Sequence, residues 1–171
     1  MLRLAKAFWD IALWRRSPAQ LPASLFLLGL VAAVVAILEV LGALLPPGPG
    51  DGIVIRVLLS VGLPLLFAWA VLSVTRHRQR FLQTASALLG VGVFAQLVLY
   101  PLGSLYNVIG ADRPASIPLA VLLLAGFVWY MLACANIWRA ALDSGIGVGV
   151  AISVGYLVLS VVLEQQLLPD A

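Results

Sequence analysis

The sequence predicts an all-α membrane protein: a polytopic bundle of five transmembrane helices preceded by a short amphipathic interfacial helix. Three observations carry that prediction. Of the 171 residues, 63% are hydrophobic and only 10% are charged, too little polar surface to cover an aqueous globule. The apolar residues gather into five segments, each near the ~20 residues that a helix needs to cross hydrocarbon. Between them stand breaks rich in Pro, Gly or Arg, where a membrane helix is interrupted.

Residues 1–16 form the first element. In LRLAKAFWDIALW, Arg3, Lys6 and Asp10 share one helical face, with Leu2, Ala5, Trp9 and Leu13 near the other. This periodicity suits a helix lying on the bilayer surface with its tryptophans at headgroup depth. RRSPAQLP follows, and two arginines with two prolines separate that helix from the first span. No short apolar core with a small-residue cleavage site is visible, so the amino terminus is expected to be retained.

Residues 17–171 form the membrane domain, with spans predicted at 23–45, 53–75, 82–102, 115–138 and 144–167. PPGPGDG at 46–52 ends the first, because proline lacks the amide donor and glycine favours other conformations. RHRQR at 76–80 separates the second from the third, and GADRPAS at 110–116 the third from the fourth. IWRAALDSG is the weakest break, with only Arg139 and Asp143 to hold the chain at the headgroups. Four spans with one bent helix is the alternative architecture.

Five alternating spans place Arg3, Lys6, Arg15, Arg16, Arg76, Arg78, Arg80 and Arg139 on one side, and Arg56 and Arg113 on the other, eight against two. The positive-inside rule then puts the amino terminus in the cytoplasm and the carboxyl terminus outside. Asp51, Asp112, Glu164 and Asp170 fall outside as well. The loop carrying Arg76, His77, Arg78 and Arg80 reads as a cytoplasmic hairpin loop that fixes orientation and meets anionic lipid, at ~1 kcal/mol per basic residue. Nucleic acid is not an expected partner. Nine arginines to one lysine fit a GC-rich bacterial genome by association, and the expected location is a bacterial inner membrane.

Ionisable groups at membrane depth are costly and mark either function or pairing. Glu39, Arg56 and Glu164 all belong to the outer half. Glu39 and Arg56 flank the same hairpin, so a mutual ion pair is the expectation. Gln96 and Tyr100 lie one turn apart on one face of the third span, placed to hydrogen-bond across helices or to line a lipid or small-molecule groove. Gly145, Gly149 and Ser153 recur every four residues, and Ser86 and Gly90 repeat the spacing, each a small-residue face that lets another helix approach closely.

No catalytic set is expected. His77 has no Cys, Asp or Glu at ligand spacing, so neither a metal site nor a triad forms locally. Cys134 lies in an apolar run as a small hydrophobe. GIGVG lacks the third glycine, the preceding strand and the partner acid of a nucleotide loop. No neighbouring base activates a membrane serine. Cofactors are not expected.

RFLQTASALLGVG runs the basic loop into a span through Phe81, Gln83 and Thr84, and WYMLACANIWRAALDSGIGVGVAI joins an aromatic helix to a small-residue-rich last span. Over about residues 80–151 the chain resembles the Yip/Yif superfamily of five-span membrane proteins, bacterial members in particular. The resemblance implies five spans with the amino terminus inside. For function, the residues support a non-enzymatic helix-bundle module acting as an interaction, scaffold or accessory protein for another membrane protein, a second copy or lipid. The alternative is a small transporter or lipid-handling protein using Glu39, Arg56, Gln96 and Glu164 around an outward-facing cavity. Convergence of those four on a cavity favours the alternative; pairing within the bundle favours the first.

Overall fold

In the computed structural model, which describes residues 2–15, 17–43 and 52–168 without the side chains of residues 2–5, the regular elements are all helical. They are α1 (Leu2–Ala12), α2 (Leu25–Gly42), α3 (Ile53–Val74), α4 (Phe81–Ile109), α5 (Ser116–Ala141) and α6 (Ile146–Leu167), with short 3₁₀ turns at Pro18–Gln20 and Arg78–Arg80. The last five helices are each long and apolar enough to cross a membrane. The predicted break at 46–52, except Gly52, lies outside the described residues, as do Arg16, Asp51 and Asp170 and the side chains of Leu2, Arg3 and Ala5.

Local chemistry sets the helix ends. The Ser24 hydroxyl accepts a hydrogen bond from the Leu27 amide and caps α2, satisfying one of the donors that a helix start leaves open. Gly110 closes α4 with φ of 86°, a conformation that costs glycine nothing. Asp143 takes φ of 48° between α5 and α6, where a short polar side chain tolerates the left-handed region. The chain therefore breaks there, and five separate helices stand in place of four with a bend. α4 runs seven residues beyond its predicted end at 102. Pro101 removes one amide, and so one bond to the Leu97 carbonyl, without stopping the turns that follow.

Packing is concentrated toward one end of the bundle. Buried residues are Leu27, Leu28, Val31 and Val35 on α2, Ala68 and Leu72 on α3, and nearly the whole stretch Thr84–Val91 on α4. On α5 they cluster from Ala133 to Ala141, and on α6 they are Gly149 and Ser153. All belong to the half nearest the Arg76–Arg80 loop. Among the described residues beyond that half, only Ala95 at the middle of α4, Ser116 and Leu168 reach the same degree of burial.

α1 packs on α4 and α5, with a buried stripe that differs from the predicted one. Phe8, Ile11 and Ala12 are buried, Asp10 joins them, and Trp9 is 43% exposed while its ring meets Phe94 edge-on at 5.4 Å. The Phe8 ring fills the space over Gly90, and the Trp129 indole donates to the Ala12 carbonyl at 3.1 Å. Gly90 and Phe94 stand roughly 14 and 20 Å along α4 from Phe81 at 1.5 Å per residue, so α1 is seated part-way along its neighbours. Gly90 thus receives a ring from α1 where a neighbouring span was expected.

Candidate functional site

The five polar residues singled out from sequence sit on four helices: Glu39 on α2, Arg56 on α3, Gln96 and Tyr100 on α4, and Glu164 on α6. Glu39 continues the buried stripe of Val31 and Val35 by one further turn, which turns its carboxylate toward α4. There the Gln96 amide donates to Glu39 Oε1 at 2.8 Å. The Tyr100 and Ser60 side chains adjoin the same carboxylate, and the Tyr100 ring lies against Gly42 of α2.

The expected Glu39–Arg56 ion pair gives way to a different one. Arg56 NH1 reaches Glu164 Oε1 at 3.3 Å, joining α3 to α6. Facing decides the exchange: Glu39 points along the α2–α4 seam, whereas Arg56 lies where α3 packs on α6. Arg56 and Glu164 still contribute to the electrostatic field at Glu39, so the four groups form one loosely joined polar belt. Helices α2, α3, α4 and α6 are tied by it at similar depth.

Beside that belt lies a partly open cavity of about 300 Å³ bordered by α2, α3, α4, α5 and α6. Gln96 and Tyr100 line it, as do Ser60, Tyr130, Ser153 and Tyr156. Glu39, Arg56 and Glu164 do not. Sequence reasoning missed Ser60, Tyr130 and Tyr156, although the signal was present: on α6 the lining residues Ser153, Tyr156, Leu157 and Ser160 recur at the spacing of one helical face.

The small-residue face on α6 divides. The Ala135 carbonyl of α5 occupies the place where a Gly149 side chain would stand, and Ser153 is buried one turn later. Gly145 caps the helix start and has open space beside it. On α4, Ser86 is fully buried.

At the other end, the basic loop makes specific contacts. Arg80 NH2 pairs with Asp143 at 2.7 Å, and NH1 donates to the Ala140 and Ala141 carbonyls at 3.2 and 3.1 Å. These carbonyls belong to the last turn of α5, where no intrahelical donor remains. The Arg80 hydrogen bond holds the Asp143 carboxyl below the usual carboxylate range. Arg78 lies over the Trp69 ring at 5.9 Å, and Arg76 takes φ of 60° in the turn itself.

The arrangement joins carboxylate to amide and guanidinium to carboxylate beside a space walled by neutral groups. The chain matches no family model, no curated protein and no solved structure.

Proposed function

We propose that this chain is a non-enzymatic multi-pass protein of a bacterial inner membrane, with its amino terminus in the cytoplasm and its carboxyl terminus in the periplasm. It acts as an accessory helix bundle for another membrane protein or a second copy of itself. The resemblance to the Yip/Yif superfamily is kept as part of this reading. The observation that carries it is the internal pairing of the outer-half polar groups, Glu39 with Gln96 and Arg56 with Glu164. Arg56 and Glu164 neutralise each other and the Gln96 amide holds Glu39 by a hydrogen bond, so these groups are spent on tying helices together rather than on lining a path for an ion.

A second reading, a small transporter or lipid-handling protein working through the same region, draws support from Gln96 and Tyr100 on the cavity wall. Affinity purification in mild detergent separates the two. The accessory reading expects a stoichiometric protein partner or a defined homo-oligomer. A monodisperse monomer that moves a solute across reconstituted vesicles overturns it.

A further inference from the structure

We propose that the cavity is a binding site for an uncharged, ring-bearing lipophile that carries a hydroxyl or N–H donor. The proposal needs only the cavity, and stands whether the bundle is an accessory module or a carrier.

Charge comes first. None of the lining residues is Asp, Glu, Lys, Arg or His. An ion there meets no counter-charge on the wall, and Glu39 behind it is already engaged by Gln96, so a charge at membrane depth stays expensive. The occupant is therefore neutral.

Shape and wall chemistry come second. Phe67, Tyr100, Phe127, Tyr130, Trp138 and Tyr156 all contribute to the wall, and rings favour other rings in offset or edge-on contact. The volume of about 300 Å³ is at the lower end of ligand pockets, which run from about 300 to 1,000 Å³. A single ring with a short apolar tail fits this space better than a fused polycycle.

Polar satisfaction comes third and sets the donor. Gln96 Nε2 is committed to Glu39, while Gln96 Oε1 is buried with no hydrogen-bond partner. Ser153, only 2% exposed, has a buried hydroxyl that is also unpartnered. Both residues line the cavity. Pro64, on the same wall, leaves the Ser60 carbonyl without its usual amide. Buried polar atoms are rarely left single, since each one costs free energy. An unpartnered amide oxygen and an unpartnered hydroxyl on residues that line an aromatic-walled space call for a ligand that donates.

The test uses the full chain in nanodiscs of a saturated phosphatidylcholine, with para-hexylphenol as probe and hexylbenzene as its donor-free counterpart. Binding is read by quenching of tryptophan fluorescence, to which Trp138 on the wall reports, and by the shift in melting temperature. The phenol is expected to bind saturably and about five-fold more tightly than hexylbenzene, the value of one net hydrogen bond. Gly92→Leu should abolish binding of both, because Gly92 lines the cavity and a side chain there meets open space. Ser153→Ala should lower phenol affinity about five-fold while leaving hexylbenzene unchanged and apo stability equal or higher. Gln96→Leu should reproduce the phenol-specific loss.

Equal affinity for the two probes overturns the proposal, as does phenol binding that survives Gly92→Leu. No saturable phenol binding in the wild type also overturns it and leaves water as the occupant. Should Gly92→Leu fail to fold, Ser153→Ala decides: a phenol affinity equal to that of the wild type, in Ser153→Ala and Gln96→Leu alike, refutes the site.

Discussion

The two halves of this bundle are built on different principles. Toward the Arg76–Arg80 loop the packing rests on small buried residues, Ala85, Ser86 and Ala87 on α4 and Ala133 and Ala135 on α5, and backbones meet at Gly149 on α6. Toward the opposite end the helices are held by side-chain pairs, Glu39–Gln96 and Arg56–Glu164. In lipid no hydrophobic drive distinguishes inside from outside, so close packing and interhelical hydrogen bonds are the forces left. One half uses the first and the other half uses the second. The cavity lies where the two halves meet, lined by Ser60, Gln96 and Tyr100 from one and by Leu88, Cys134, Trp138 and Ser153 from the other.

The sharpest way to break this comparison is to fill the closest contact. Gly149→Leu drives a side chain into the Ala135 carbonyl and should cost about 3 kcal/mol, at the upper end for overpacking. Gly147→Leu is the control, since Gly147 is exposed on the same helix with open space beside it. It should leave the melting temperature in detergent within about a degree. Equal losses from both would show that the close-packed half does not depend on that crossing.

Next is the loop that closes the packed half. Arg80→Gln removes both the Asp143 pair and the donors to the end of α5, and should lower the melting temperature by a few degrees. Asp143 has a depressed carboxyl in the folded state. Its contribution is therefore present above the ordinary carboxylate pKa and disappears as pH falls through the lower, folded value. The gap between wild type and Arg80→Gln should accordingly narrow in acid, measured by thermal unfolding from neutral pH down to the acid limb. A gap independent of pH would assign the whole effect to the carbonyl contacts.

The smallest effects lie in the polar half, and double-mutant cycles sharpen the comparison there. Glu39→Leu with Gln96→Leu should show a coupling of about 1 kcal/mol, as for interhelical hydrogen bonds in membranes. Arg56→Gln with Glu164→Gln should show about 0.5 kcal/mol, because the two side chains are 22% and 51% exposed and solvent or headgroups screen them. Glu39 crossed with Arg56 should couple least. A Glu39–Arg56 coupling larger than both would restore the hairpin pairing expected from sequence.

Much of the fold was legible because its signals are local. Five apolar stretches bounded by Pro, Gly and charge gave five helices, and the Gly149 crossing followed from small residues four apart. What the sequence did not disclose depends on helix rotation. These helices are apolar on every side, so no stripe states which face looks inward. Arg56 and Glu164 are 108 positions apart, and nothing in either segment announces the other. The Phe8 seat on Gly90 was hidden for the same reason. Gln96 and Tyr100 were found, since a polar residue in an apolar run needs no partner to be noticed. The cavity they line required the positions of five helices at once.

The seating of α1 has a consequence in time. The Ala12 carbonyl accepts its hydrogen bond from Trp129, 117 residues further along the chain. At about 5 to 20 residues per second of synthesis, the ribosome needs roughly 6 to 23 s to make the distance. Through that interval Phe8 and Ile11 have no groove to occupy, because its walls on α4 and α5 have not both been made. α1 is thus made well before its seat is complete, and Phe8 and Ile11 spend those seconds as an unattached apolar face.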